Sequence, residues 1–211
     1  MGTDHGAGLS ASDAGQRRTL IQVLLLNAGL SAALLTTGLA ADSSGLIANA
    51  LDNASDAAVY GISLFAVGRA PQWKSVAATV SGVLLLVFAA GVIVDVGRRF
   101  LVGAEPIGPT MVVMALVATA VNALCIKLLA AGHRDDVNMR AAWTFSTNDF
   151  FSNIGILIAG GLVLLLGSNW PDLVIGLLIA GVAVYGGVEI LRDAARSRRP
   201  GNAISSDESH D

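Results

Sequence analysis

Three aspartates stand inside stretches of sequence otherwise suited to lipid. Asp52 and Asp56 occur in "GLIANALDNASDAAVYGISLFAVGR", residues 45–69, and Asp149 in "RAAWTFSTNDFFSNIGILIAGG", residues 140–161. Helical residues three or four apart share a face. Asp52 and Asp56 therefore project together, with Asn49 on the same side and Asn53 turned elsewhere. Two carboxylates one turn apart, with no basic residue in the span, repel each other unless a cation or a proton lies between them. In the second stretch Asn153 lies one turn beyond Asp149 and Ser146 one turn before it, while Asn148 is rotated away by about 100°. If the two helices face each other, they offer an all-oxygen site for a divalent cation. Its ligands would be Asp52, Asp56 and Asp149, helped by Asn49, Asn153 or Ser146. The plainer alternative for each Asp is a helix–helix hydrogen-bond network.

The rest of the chain must hold those residues in a membrane. Of 211 residues 54% are hydrophobic and 14% charged, against about a quarter charged in a soluble domain; the mean hydropathy is +0.65. Crossing a bilayer takes about 20 apolar residues as a helix. Six blocks meet that need, at Leu20–Ala41, Gly45–Gly68, Val76–Val96, Thr110–Ala131, Ala141–Leu166 and Leu173–Leu191. They are continuous, unlike the short alternating strands of a membrane β-barrel. The first is too long for the core of a signal peptide. The expected fold is an all-α, polytopic bundle of six transmembrane helices in the cytoplasmic membrane. Residues 1–17 read as a disordered tail, 18–194 as the helical domain, and 195–211 as a polar tail without a C-terminal soluble domain. Basic residues concentrate on one side of the spans, Arg98 and Arg99 excepted, which predicts that both termini are cytoplasmic.

Other polar groups read as structural. Cys125 is the single cysteine, so no disulfide can form within the chain, and a small buried apolar role is expected. Asn27 and Asn122 are expected to donate interhelical hydrogen bonds. Lys127, Asp95 and Glu189 sit near span ends, where they can reach the interface. Trp73, Trp143 and Trp170 fall near span starts, as interfacial anchors do. Gly176 and Ala180, then Ala183 and Gly187, would let the sixth helix pack closely. The histidines (His5, His133, His210) lie in tails or a loop, and "GHRDD" at 132–136 reads as a solvated loop. No Ser/His/Asp, Cys/His or phosphate-loop arrangement occurs, so no enzyme is expected. Neither a permanent cofactor nor a nucleic-acid partner is expected.

In order and spacing the chain resembles the cation diffusion facilitator (cation efflux) family. The similarity runs through "LLLNAGLSAALLTTGLAADSSGLIANALDNASDA", "AEPIGPTM", "VNMRAAWTFSTNDFFSNIGILIAG" and "WPDLVIGLLIAGVAVYGGVEILRDA". It implies a homodimeric transporter that exports a divalent metal, commonly zinc, in exchange for protons. It also implies a His/Asp-x-x-x-Asp metal-binding pair on the second and fifth helices. Asp52 and Asp56 fill the first pair. On the fifth helix Asp149 fills one position, and Phe145 stands at the other. The third helix, "APQWKSVAATVSG", lacks the family's Tyr-Gly and acidic features. Among zinc, manganese, iron and cobalt the cargo stays undecided: imidazole suits zinc, whereas carboxylates suit harder ions. The expected mechanism is alternating access around one central site that binds metal facing inward and protons facing outward. The rival reading is a non-transporting membrane subunit in which the half-pair is a relic.

Phe145→His would rebuild the pair with Asp149, and an added imidazole should shift preference toward zinc over manganese. Loss of a packed Phe can cost about 3 kcal/mol or more, so folding is checked alongside both metal affinities. An unchanged zinc-to-manganese ratio in a folded variant would remove position 145 from the ligand set.

Overall fold

The computed structural model describes residues 5–66, 71–130 and 137–197. These form six helices, α1 (His5–Ala40), α2 (Ser44–Ala66), α3 (Pro71–Val102), α4 (Gly108–Ala130), α5 (Val137–Leu166) and α6 (Trp170–Ser197). The segment read as a disordered tail is helical from His5 onward. The His133–Asp136 loop and the side chains of Trp73, Trp143 and Phe145 lie outside what is described. Among the described residues, five helices are long and apolar enough to cross a membrane, namely α1, α3, α4, α5 and α6. The expected sixth span, α2, has Asn49, Asp52, Asn53, Ser55 and Asp56 diluting its apolar content.

The polarity of α2 explains its position. It packs against α1, α3, α5 and α6 and touches α4, and residues 43–50 are all buried. Its neighbours therefore stand between its polar face and lipid. The tightest pairs around it are α1 with α2, α3 with α6, and α4 with α5. Close approach depends on glycine. A Cβ on Gly187 of α6 would come within 2.9 Å of Leu86 and 3.2 Å of the Gly82 carbonyl on α3. A Cβ on Gly160 of α5 would stand 2.9 Å from the Met111 Cβ on α4. Bare backbone at these points lets helices approach closely where lipid supplies no hydrophobic drive between them.

The end of the bundle away from the termini is fixed by ions. Asp42, at φ 52°, ends α1 in the left-handed region that short polar residues tolerate. The Ser43 side chain caps α2 by accepting the Leu46 N–H at 3.1 Å. A second cap comes from α6: Asp172, fully buried, accepts from Ser43 Oγ at 2.6 Å, Ser44 N at 2.7 Å and Gly45 N at 3.0 Å. A negative charge at a helix N-terminus also complements the helix dipole. Arg99, expected on the outer side of the membrane, is only 2% exposed. It pairs with Asp42 and donates to Asp95 at 2.6 Å. Asp95 accordingly turns inward and also accepts from Ser44 Oγ at 3.1 Å. Trp170 is exposed and meets the Phe100 ring edge-on at 5.5 Å.

The start of α2 thus hangs on a carboxylate from the other end of the chain. Asp172→Asn keeps the shape but removes the charge and one acceptor. It should destabilise the detergent-solubilised protein by about 1–3 kcal/mol, read as a lower thermal midpoint. An unchanged midpoint would mean that α2 is positioned without this cap.

Candidate cation site

The predicted site residues meet where α2 crosses α5. Asn49 donates to Asn153 Oδ1 at 2.6 Å, joining the two helices directly. One turn along, the carboxyl groups of Asp52 and Asp149 come within hydrogen-bonding reach of each other. Asp56 follows on α2, close enough to interact with both. Tyr60, a further turn on, neighbours Asp56 and Asp149, and its phenol approaches Ser146. Asn49, Asp56, Asp149 and Asn153 are buried. Asp52 is partly open to a small cavity between α2, α3 and α6, lined with apolar groups such as Leu85, Phe88, Val92, Ile179 and Ala183. Asn148, rotated off the Asp149 face, is exposed.

Two sequence-based expectations need correction. Asn53 was expected to turn away from the site, yet it is fully buried and donates to Asn49 at both Oδ1 (3.1 Å) and the main-chain oxygen (2.9 Å). It is held inside because α2 is enclosed on most of its circumference, so the face opposite α5 also meets protein. Asn122 was expected to donate an interhelical hydrogen bond. It is fully buried, and neither polar atom of its side chain has a partner. Asn27 does what was expected of it, donating to its own helix at Val23 (2.9 Å) and reaching Cys125 Sγ on α4 at 4.0 Å. Tyr60 passed unnoticed in the sequence, although its spacing of four from Asp56 was available as a signal.

These polar groups make a layer between two apolar clusters. Leu30, Ala50, Ala118 and Ile156 belong to one cluster, and Val23, Tyr60 and Cys125 to the other. Between them in sequence lie Asn27 on α1, Asn53 and Asp56 on α2, and Asn122 on α4, while Asp149 and Asn153 precede Ile156 on α5. Several atoms in the layer lack hydrogen-bond partners: Asn27 Oδ1, Asn53 Oδ1, Asp149 Oδ2 and Asn153 Nδ2. A buried polar group left unmatched costs about 1–3 kcal/mol, so a cluster of them fits a place built to receive a polar guest. Among the described residues, however, no three His, Cys, Asp or Glu side chains gather closely enough to hold a metal ion. Asp52 and Asp149 meet, and Asp56 stands beside them without closing a cage.

Chemically, the Asp52–Asp149 contact has a clear requirement. Two bare carboxylates have no hydrogen to share, so a proton or a cation must lie between them. Among the described residues, no Lys, Arg or His pairs with any of the three carboxyl groups; the ion pairs are those of Asp42 and Asp95 with Arg98 and Arg99. Either a proton or a cation would meet that requirement.

A family model described as the cation efflux transmembrane domain matches residues 20–197. A cadmium, cobalt and zinc/H(+)-K(+) antiporter of Bacillus velezensis is 24% identical over 144 residues, covering 66% of this chain and 46% of the relative. A protein of the same description from Bacillus subtilis is 20% identical over 125 residues, covering 58% of this chain and 40% of the relative. The chain thus spans less than half the length of the curated relatives it matches. With the family match covering most of its length and its helices suited to crossing a membrane, this multi-pass membrane protein belongs to the cation efflux family.

Proposed function

We propose that the protein is a transporter that exports a divalent metal cation from the cytoplasm in exchange for protons. The observation that carries this reading is the Asp52–Asp149 contact across the α2–α5 interface, with Asp56 one turn away. A carboxyl pair so close holds a proton when no metal is bound. Metal binding needs deprotonated ligands and releases that proton. If metal and proton occupy the same place in turn, each is the other's counter-ion, and rocking of the helices around the site would alternate access. Asp52, Asp56 and Asp149 are assigned as ligands, with the amides of Asn49 and Asn153 setting the spacing of α2 and α5.

The donor set is oxygen, which favours harder ions such as manganese, while the Bacillus relatives are named for cadmium, cobalt and zinc. Zinc, manganese, iron and cobalt therefore all belong in the test series. The reading places both termini in the cytoplasm, by the asymmetry of basic residues, in a homodimer in the cytoplasmic membrane. It involves no covalent chemistry, so no enzyme activity is assigned. The rival, a non-transporting subunit, draws support from Phe145 on α5 and from the lack of a closed three-carboxylate cage among the described residues.

The deciding experiment measures metal uptake and proton movement in proteoliposomes containing the purified protein, across the divalent series. Uptake coupled to proton counter-flow is expected. Asp56→Ala and Asp149→Ala should each reduce it by more than about tenfold while leaving expression intact. Normal transport by either variant would remove that residue from the site. No transport of any ion by the wild type would favour the non-transporting subunit.

The pH dependence has a definite sign. Protons and metal compete for the same carboxyl groups, so metal affinity should fall as pH falls. The slope should flatten in Asp149→Asn, which takes one competing group away. Titrations with manganese at several pH values check this; an affinity independent of pH would overturn the shared-site exchange.

A further inference from the structure

We propose that Asn122 of α4 is a third-helix ligand of the transported cation, presenting its amide oxygen to the ion or to a water bound to it. The proposal rests on the carboxylate-site reading above and extends it to a helix from which no ligand was expected.

The first support is register. α4 and α5 run antiparallel, and a Cβ on Gly160 would stand 2.9 Å from the Met111 Cβ. Eleven residues on from Met111 is Asn122, and eleven back from Gly160 is Asp149. Eleven residues make about three helical turns, so each step returns to the same face. Asn122 therefore comes opposite Asp149 as Met111 comes opposite Gly160. Cys125, on the same buried face of α4, is approached by the Asn27 amide at 4.0 Å, which independently puts that face against the polar layer.

The second support is the state of the side chain. Asn122 is fully buried, and neither its Oδ1 nor its Nδ2 has a hydrogen-bond partner. Asp149 Oδ2, on the facing helix, is buried and unpartnered as well. A donor-bearing amide and a carboxylate at one level, not bonded to each other, fit a third group that engages both. Its neighbour Asn27 differs, since its amide nitrogen is used on Val23 and Cys125. A merely structural role for Asn122 would ask for at least one bond.

The third support is the composition of α5. Position 145 carries Phe, which has no donor atom for metal. An amide oxygen from α4 supplies an oxygen that α5 lacks, and it keeps the donor set hard.

The test is direct binding of zinc and of manganese to the purified full chain in detergent, for wild type, Asp149→Asn, Asn122→Leu and Asn122→Cys. The expected result is affinity weakened but measurable in Asp149→Asn, and lowered by about tenfold or more in Asn122→Leu. In Asn122→Cys the ratio should move toward zinc, because sulfur is a softer donor. Unchanged affinity in Asn122→Leu, with Asp149→Asn still defective, would overturn the role of Asn122 and leave the carboxylate site standing. Wild-type affinity in Asp149→Asn, or no binding by the wild type, would overturn the carboxylate site and this inference with it. If Asn122→Leu does not fold, the zinc-to-manganese ratio in Asn122→Cys decides, and an unchanged ratio counts against the proposal.

Discussion

The contact between the carboxyl groups of Asp52 and Asp149 constrains the rest of the bundle. A carboxylate at the middle of a membrane helix costs about 2.5–3.5 kcal/mol on insertion scales, and this chain keeps three of them. A helix bearing two such groups is poorly placed on the lipid surface. Among the described residues, α2 is accordingly the one helix that falls short of the apolarity needed to cross a membrane by composition, and it is enclosed by the others. Its enclosure and its polarity are one fact seen from two sides. The surrounding helices expose the large apolar side chains, among them Leu25 on α1, Val94 on α3, Val113 on α4, Ile158 on α5 and Leu178 on α6.

Enclosing a polar helix demands that its neighbours come close and stay in register. Glycine supplies the approach, as where Gly187 of α6 meets α3 and Gly160 of α5 meets α4. Register is set by directional polar contacts. At the end away from the termini, Asp172 caps α2 from α6, and Arg99 ties α3 to the α1–α2 turn. At mid-depth, Asn49 and Asn153 lock α2 to α5 by a single short bond. The fixed cap and the lock lie on the same helix, about a turn apart, so the α2–α5 spacing at the carboxyl groups is inherited from both.

Much of this was legible in the sequence, because one-helix periodicity carries it. Six helices, the shared face of Asp52 and Asp56, the inward position of Asp149 and the rotation of Asn148 off its face all follow from counting along the chain. What the sequence hid depends on partners across the bundle. Arg99 reads as an outer charge until Asp42 and Asp95 are brought around it. Nothing in the sequence around Asp172 signals that it caps a different helix. Asn53 was set aside because it lies off the Asp52–Asp56 face, a rule that fails for a helix buried on most sides. Asn122 could be given a bond in the sequence and has none in the structure.

On the proposed reading, the incomplete satisfaction of the polar layer bears on what kind of ion site it would make. A resident structural metal is held by a closed set of ligands whose binding energy adds to folding. Here the described carboxyl groups form no such closed set, while the helices still assemble through glycine contacts, a helix cap and amide bonds. The scaffold thus stands on interactions that do not involve the ion. On the proposed transport reading that separation is useful, since a cargo must be released without unfolding what held it. Oxygen donors would suit the same end, because a carboxylate can exchange a metal for a proton and an amide oxygen can engage or release a metal by a small rotation. The Asn53–Asn49–Asn153 chain already shows such an internal alternative, with each amide using its neighbour as partner.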